Sequence, residues 1–175
     1  IAFSFDNKRF ELLSGRKTGE EVKKSWDKRF SNETYLFGKE PAETIKRYVK
    51  KLPREKLKIL DLAMGEGRNA VYLAKFGHEI TGIDISSVAI KKSNKLAKEN
   101  NVKIKGIIGD LNKYLFNENE FDVVLCYYYL DRKLIKKIKN WVKPGGYVAF
   151  EAHTVLDKIE SKGNKDYLLK ENELI

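Results

Sequence analysis

Two carboxylates, each closing an apolar run, frame the part of this chain that could do chemistry. Ile59-Leu60-Asp61 ends in a turn, Leu62-Ala63-Met64-Gly65-Glu66-Gly67-Arg68-Asn69, and Ala70-Val71-Tyr72-Leu73-Ala74 follows with helical character. Glycines in such a turn let a ligand approach the backbone, and the free N–H groups of the next helical turn favour a polar or anionic group. The second acid, Asp84, closes Glu79-Ile80-Thr81-Gly82-Ile83, 23 positions after Asp61. That is where a neighbouring parallel strand sets a carboxylate against ribose hydroxyls. Asp61 itself is open between two roles, facing a ligand or tying the turn together.

Further along, Gly109-Asp110-Leu111 and Cys126-Tyr127-Tyr128-Tyr129-Leu130-Asp131-Arg132 each follow an apolar run. In open α/β sheets ligands bind beyond the carboxyl ends of the strands, so both segments join the candidate site. Cys126 reads as a buried thiol rather than a nucleophile. His78 shapes the turn before a strand, and His153 lies just past the last one. No His/Cys spacing fits zinc and no Gly-Lys-Ser/Thr phosphate loop occurs, so no metal is expected.

The elements that must position these residues alternate. Strands are predicted at 58–62, 79–83, 103–108, 122–126 and 147–151, and helices at 68–76, 87–99 and 132–142, with Ser86 as an N-cap. Apolar strands alternating with helices predict an α/β fold, a doubly wound, mostly parallel sheet with helices on both faces. Upstream, 20–30 reads as a helix carrying Val22, Trp26, Arg29 and Phe30. A second helix has Pro41 in its first turn, Ile45, Tyr48, Val49 and Leu52 at helical spacing, and Pro53 at its close. The aromatic arm with Phe3, Phe5, Phe10, Leu12 and Leu13 is poorly patterned. The fifth strand would be an open apolar edge, which proteins normally cover. The expectation is that covering strands are missing at the C-terminus, or that a second copy of the chain covers the edge.

The 175 residues, 42% hydrophobic and 34% charged, fit one soluble domain. No apolar run approaches 18 residues and the start lacks a signal peptide's pattern, so no membrane partner is expected. A single cysteine fits a reducing, cytoplasmic setting. The net charge of +10 comes from lysines spread along the chain, without a dense basic run. It reads as a solvated surface, with RNA as the alternative partner.

The chain resembles the class I S-adenosylmethionine-dependent methyltransferases, in particular the small tellurite-resistance (TehB-like) group. The likeness rests on Trp26-Asp27-Lys28-Arg29-Phe30, on Tyr35-Leu36-Phe37-Gly38-Lys39-Glu40-Pro41 and on the glycine turn from Asp61 to Ala70. It continues through Gly77 to Ser86, Gly109-Asp110-Leu111, Phe121-Asp122-Val123-Val124, Lys143-Pro144-Gly145-Gly146-Tyr147 and the tail Gly163 to Leu169. Where the group often has Gly-Cys, this chain has Ala63-Met64. The resemblance implies a Rossmann-like fold whose sheet ends in an antiparallel hairpin, a helical lid over 1–53 and a cofactor-binding core over 54–175.

It also implies roles. S-adenosylmethionine would lie over Asp61, Ala63, Gly65, Gly67 and Asn69, with Asp84 on the ribose and Ile85 on the adenine face. Asp110 would accept from the adenine amino group, Leu111 would cover the ring, and Cys126 would stand near the transferable methyl. Trp26, Arg29, Tyr35 and Phe37 would form a lid, and Tyr127 or Tyr128 would line the pocket of a small-molecule acceptor. Core packing stays open for the tyrosines, as does a surface role for Arg29 and an acceptor contact for His153. No side chain stands out as a catalytic base.

The residues also allow two other readings. Gly65-Glu66-Gly67-Arg68-Asn69-Ala70 fits G-x-G-x-x-A, and Asp84 would suit the ribose of NAD, which allows a nicotinamide-dependent oxidoreductase. The charge allows an RNA-associated methyltransferase or binding module, although Tyr127-Tyr128-Tyr129-Leu130 lacks the Asn/Asp-Pro-Pro-aromatic sequence that grips a planar amino group.

Overall fold

The computed structural model describes residues 18–154 and 168–170. The expectations for the aromatic arm, and for most of the tail, lie outside the described residues. Five strands, β1 (Lys58–Leu62), β2 (Glu79–Asp84), β3 (Lys105–Ile108), β4 (Phe121–Tyr127) and β5 (Val142–Glu151), form one sheet in the order β3-β2-β1-β4-β5. Every pairing is parallel. The strand order reverses between β1 and β4, and there the carboxyl ends open a crevice.

Alternation explains why the sheet is buried on both faces. Side chains of successive strand residues point to opposite sides. Ile59, Val123 and Leu125 point to one side and meet α2 (Glu43–Tyr48) and α3 (Arg68–Ala74), and Ile90 of α4 (Ser87–Glu99) packs there too. Leu60, Leu62, Val124 and Cys126 point to the other and meet Leu134, Ile138 and Trp141 of α5 (Arg132–Trp141). Ile59, Leu60, Leu62, Ile83 and Val124 are fully buried. At roughly 1.5–3 kcal/mol per side chain, this burial is what lets the sheet centre carry a buried acid.

The helix starts follow side-chain chemistry. Thr18 and Glu21 make a capping box at α1 (Gly19–Phe30), and Ser86 caps α4 by accepting from the N–H of Ala89 at 3.1 Å. Two upstream details differ from the sequence expectation. Pro41 lies before the N-cap of α2 rather than in its first turn, and after Tyr48 the helix tightens into a single 3-10 turn, Val49–Lys51. Ile45 and Val49, four positions apart, are buried in the shared core, but Tyr48 is exposed. Val142, expected at the end of a helix, begins β5 in extended conformation. Among the described residues β5 is an edge strand, with Tyr147 and Val148 exposed.

Met64 takes up space that Gly82 leaves open. A Cβ on Gly82 would lie 2.0 Å from the Met64 sulfur, so the longer side chain is matched by a glycine on β2. Ala63 pays for its place in the turn with φ +52°, a region that favours glycine.

Candidate cofactor and acceptor site

Asp61 and Asp84 end adjacent strands and sit on either side of the glycine turn. Asp84 is 7% exposed and accepts two backbone N–H groups, from Gly65 at 2.8 Å and Ser86 at 2.9 Å. Burial raises its pKa, opposed by those N–H groups and assisted by the charge of Asp27. Each oxygen keeps a lone pair, so the carboxylate could still accept two adjacent hydroxyls.

Asp61 is 2% exposed, and its Oδ2 has no hydrogen-bond partner among the described residues. Burial first, then the nearby Asp84, pushes its pKa up to about 7; Arg68 and the N–H of Ala70 oppose the shift. An unpartnered buried carboxylate oxygen is costly unless a ligand cation completes it.

The two turn glycines do different work. Gly65, at φ +58°, faces the Phe30 ring, which would be in ordinary van der Waals contact, 3.7 Å, with a Cβ there. Gly67, at φ +82°, instead permits close packing of α3 on α4, because a Cβ there would lie 2.6 Å from the Ser93 Cβ and 3.2 Å from its Cα. Gly67→Ala is therefore expected to cost about 2–4 kcal/mol, combining a left-handed alanine with overpacking. Gly38→Ala, at φ +72° with nothing within 4 Å, should cost only about 1 kcal/mol. Urea unfolding of the two variants measures the difference; equal losses would remove the packing role of Gly67.

α1 and residues 31–42 are fastened onto this turn. Glu66, 4% exposed, accepts from the N–H of Leu36 at 2.7 Å and pairs with the ammonium of Lys92. That ammonium also donates to the carbonyls of Thr34 (2.8 Å), Asn32 (2.9 Å) and Phe30 (3.3 Å). Asn69 Oδ1 accepts from the N–H of Ala42 at 2.9 Å, and Arg68 Nη1 donates to the carbonyl of Phe37 at 3.1 Å. Tyr35 donates its hydroxyl to the carbonyl of Lys92 at 3.2 Å. Trp26 stacks on Phe30 at 5.5 Å, with the Arg29 guanidinium over its face at 4.8 Å, and Phe37 meets Phe30 edge-on. Of the four residues expected in a lid, Trp26, Arg29 and Phe37 gather around Phe30, while Tyr35 stands against Lys92 and Lys39. Asn69, expected to touch cofactor, spends its carbonyl on the Ala42 N–H.

Asp27, not singled out in the sequence, locks α1 to α4. It accepts from the Ser86 hydroxyl at 2.6 Å and the Val88 N–H at 3.2 Å, and pairs with Lys23 at 2.5 Å. Burial pushes its pKa up, but these donors outweigh it and hold the carboxyl below the usual range. Its neighbours Trp26 and Phe30 marked the segment; the partner was unreadable because Ser86 is 59 positions away. Glu66 was legible in another way. An acid inside a buried turn needs a cation, but the lysines of α4 offered several choices.

At the other end of the crevice, Ile85, Ile108, Gly109 and Asp110 line a cleft of about 230 Å³ beneath the start of α1. A Cβ on Gly19 would lie 2.9 Å from Asp110 Oδ2, so the first turn of α1 rests on that carboxylate. Leu111 does not face this cleft. It is 6% exposed and packs with the Leu60 and Ile83 side of the core. Cys126 also packs in that core, on the α5 side, and donates to the carbonyl of Tyr129 at 3.2 Å. Burial, with help from Asp61 and Asp131, pushes its thiol up to about 12, so it is no nucleophile.

Residues 59–146, half of the chain, match the family model described as a methyltransferase domain. The chain belongs to the methyltransferase domain family. It is 29% identical over 123 residues to the probable S-adenosyl-L-methionine-dependent methyltransferase TehB of Haemophilus influenzae, covering 67% of this chain and 43% of the relative. It is 25% identical over 139 residues to the tRNA 5-carboxymethoxyuridine methyltransferase of Escherichia coli K12, covering 72% and 52%. Among solved structures, the PH0226 protein of Pyrococcus horikoshii shares 29% identity with a TM-score of 0.54, covering 62% of this chain and 55% of that one. The chain spans about half the length of the curated relatives it matches, or less. The chain is thus a methyltransferase domain with a Rossmann-like fold, similar to the S-adenosyl-L-methionine-dependent TehB proteins, and these likenesses do not favour the nicotinamide reading. Among the described residues no helix is long and apolar enough to cross a membrane.

The residues fit the family's cofactor. The unpartnered Asp61 oxygen suits the ammonium of its methionine part, Asp84 suits vicinal hydroxyls, and Asp110 beside Ile85 suits an adenine amino group.

Proposed function

We propose that this domain binds S-adenosylmethionine across the β1–β2 carboxyl edge and transfers its methyl group to a small-molecule acceptor. The buried, unpartnered Oδ2 of Asp61 carries the reading, because a cationic ligand group there would complete an otherwise costly arrangement. The bound cofactor supplies the leaving group, a sulfonium that becomes a neutral thioether. The chain's own task is then to align the acceptor and keep water out.

In this reading Asp61, Ala63, Gly65, Asp84, Ile85 and Asp110 contact the cofactor. Gly67, Asn69, Leu111 and Cys126 shape its surroundings from the packing side. Trp26, Arg29, Tyr35 and Phe37 belong to the lid over 1–53, of which α2 is the part packed into the 54–175 core. Tyr127 and Tyr128 line the acceptor side. A small acceptor suits a crevice narrowed by Phe30, Phe37 and the tyrosines. A cytoplasmic setting is part of the same proposal. A second copy over the β5 edge finds no support in the relatives or in the geometry.

Thermal unfolding with S-adenosylhomocysteine, and with NADH in parallel, tests the reading. At about 100 times its dissociation constant a ligand adds roughly 2.7 kcal/mol, or roughly 5–10 °C here. A shift with the homocysteine nucleoside alone is expected; a shift with NADH alone would sink the proposal. The tRNA-modifying relative gives the RNA alternative its weight. Retention on tRNA at about 150 mM salt would replace the small acceptor with RNA.

A further inference from the structure

Glu151 ends β5 directly beside Tyr127 of β4, where the two strands are in register. Neither sequence pattern nor family likeness singled it out. Its carboxylate is half-buried and is the hub of a polar cluster at the acceptor end of the crevice. The Thr44 hydroxyl, from α2, donates to Oε2 at 2.5 Å, and the Tyr128 hydroxyl donates to Oε1. The Tyr127 hydroxyl lies 3.2 Å from Thr44 Oγ1, which joins it to the same group.

The backbone marks the spot as well. Tyr128 sits at φ +58°, a costly conformation for a bulky residue, and its N–H donates to the carbonyl of Glu151 at 2.6 Å. Both the main chain and the side chain of Tyr128 are thus tied to Glu151. Strain of this kind persists where the surroundings over-determine it, and it gathers at functional sites. Burial and the Glu151 charge together raise the phenol of Tyr128 to about 12, and burial and nearby carboxylates raise Tyr127, so both stay neutral hydrogen-bonding groups.

The charges around the cluster set its preference. Arg68 lies 5.8 Å from the centre of the Tyr128 ring, but its Nη1 is held by the Phe37 carbonyl on the lid. The His153 ring lies 5.3 Å from that of Tyr128. Glu151 and the buried Asp61 both act on Tyr127 as negative charges. A carboxylate surrounded by neutral hydroxyls repels anionic acceptors and attracts cationic ones.

We infer that Glu151 is a specificity residue of the acceptor site, selecting an amine nitrogen over an anionic acceptor. This rests on the methyltransferase reading above. In the transfer, the nitrogen lone pair bonds to the methyl carbon while the carbon–sulfur bond breaks and its electron pair stays on sulfur. The positive charge therefore passes from sulfur to nitrogen. A carboxylate beside that nitrogen stabilises the charge where it arrives, more strongly in the transition state than in the neutral amine. Tyr128 and Thr44 are positioning residues that hold the carboxylate in place.

Sinefungin tests this without knowledge of the acceptor, because it carries an ammonium group where the cofactor carries its methyl. Titration calorimetry on wild-type protein, Glu151→Gln and Glu151→Ala compares sinefungin with S-adenosylhomocysteine, which has neither group. The glutamine keeps the shape and hydrogen-bonding capacity of the side chain and removes only its charge. The expected result is homocysteine-nucleoside affinity within about twofold of wild type, with sinefungin weakened about tenfold or more in both variants. An unchanged ratio between the two ligands, or an equal loss of both, would overturn the inference and leave the methyltransferase reading standing. Failure of wild-type protein to bind either ligand would overturn both.

Discussion

Lys92→Ala is expected to destabilise the domain by about 3–5 kcal/mol, the usual cost of leaving a buried ion without its partner. Glu66 is 4% exposed, and the Lys92 ammonium is the cation that compensates it. The same ammonium gathers the carbonyls of Phe30, Asn32 and Thr34, so its loss also unties residues 30–34 from the glycine turn. In a domain of this size the melting temperature should fall by roughly 10 °C. Glu66→Gln combined with Lys92→Met removes both charges and should recover most of the loss, since the expense lies in the unpaired carboxylate rather than in the missing attraction. A loss below about 1 kcal/mol for Lys92→Ala, or no recovery in the double variant, would show that the pair is not the fastening described here. S-adenosylhomocysteine affinity should fall along with the lid contacts.

Asp61→Asn should separate stability from binding. The folded-state pKa of Asp61, about 7, lies above its ordinary value of 3.8. The native state therefore holds this proton more tightly than the unfolded chain does. Its contribution is fully present below about pH 4 and is lost as pH rises toward and through about 7, so the ligand-free protein should weaken across that window. Asparagine cannot ionise, and the variant should be more stable than wild type by about 1–3 kcal/mol at pH 8. Binding should move the other way. The ammonium of S-adenosylhomocysteine prefers the ionised carboxylate, and removing a charged hydrogen bond of that kind costs about 1.5–3 kcal/mol, or roughly 10–100-fold in affinity. Wild-type affinity should rise from pH 5 to pH 8, and that rise should be absent in the variant. Thermal melts and calorimetry across this range read both effects. A variant that melts with wild type at every pH, or binds as tightly, would place Asp61 in the structural scaffold alone.

Much of this molecule was legible before folding. The five strands and three central helices follow from apolar runs and their spacing, because a parallel sheet buried on both faces demands near-continuous apolar strands. The acids Asp61 and Asp84 announced themselves by closing two such runs, and Ser86 by its position before a helix. Those signals are local, carried within a few residues of one another. Fold class, and the two acids that the proposed cofactor site rests on, therefore came with the sequence.

The tertiary structure decided the partnerships. Gly67 and Gly65 look alike in the chain, yet one packs too tightly against Ser93 to admit a Cβ and the other meets Phe30 at ordinary contact distance. Asn69 serves Ala42, Lys92 serves Glu66 and Asp27 serves Ser86, pairs separated by 27, 26 and 59 positions. Leu111 turned inward, because the direction of a side chain past the end of β3 depends on backbone geometry there, whereas Cys126, read as a buried thiol, follows the alternation of β4. Glu151 gained its meaning only when β5 settled beside β4 and Thr44 approached from α2. Propensity and periodicity act along the chain, whereas the partner of a buried charge is chosen by which surfaces meet in space.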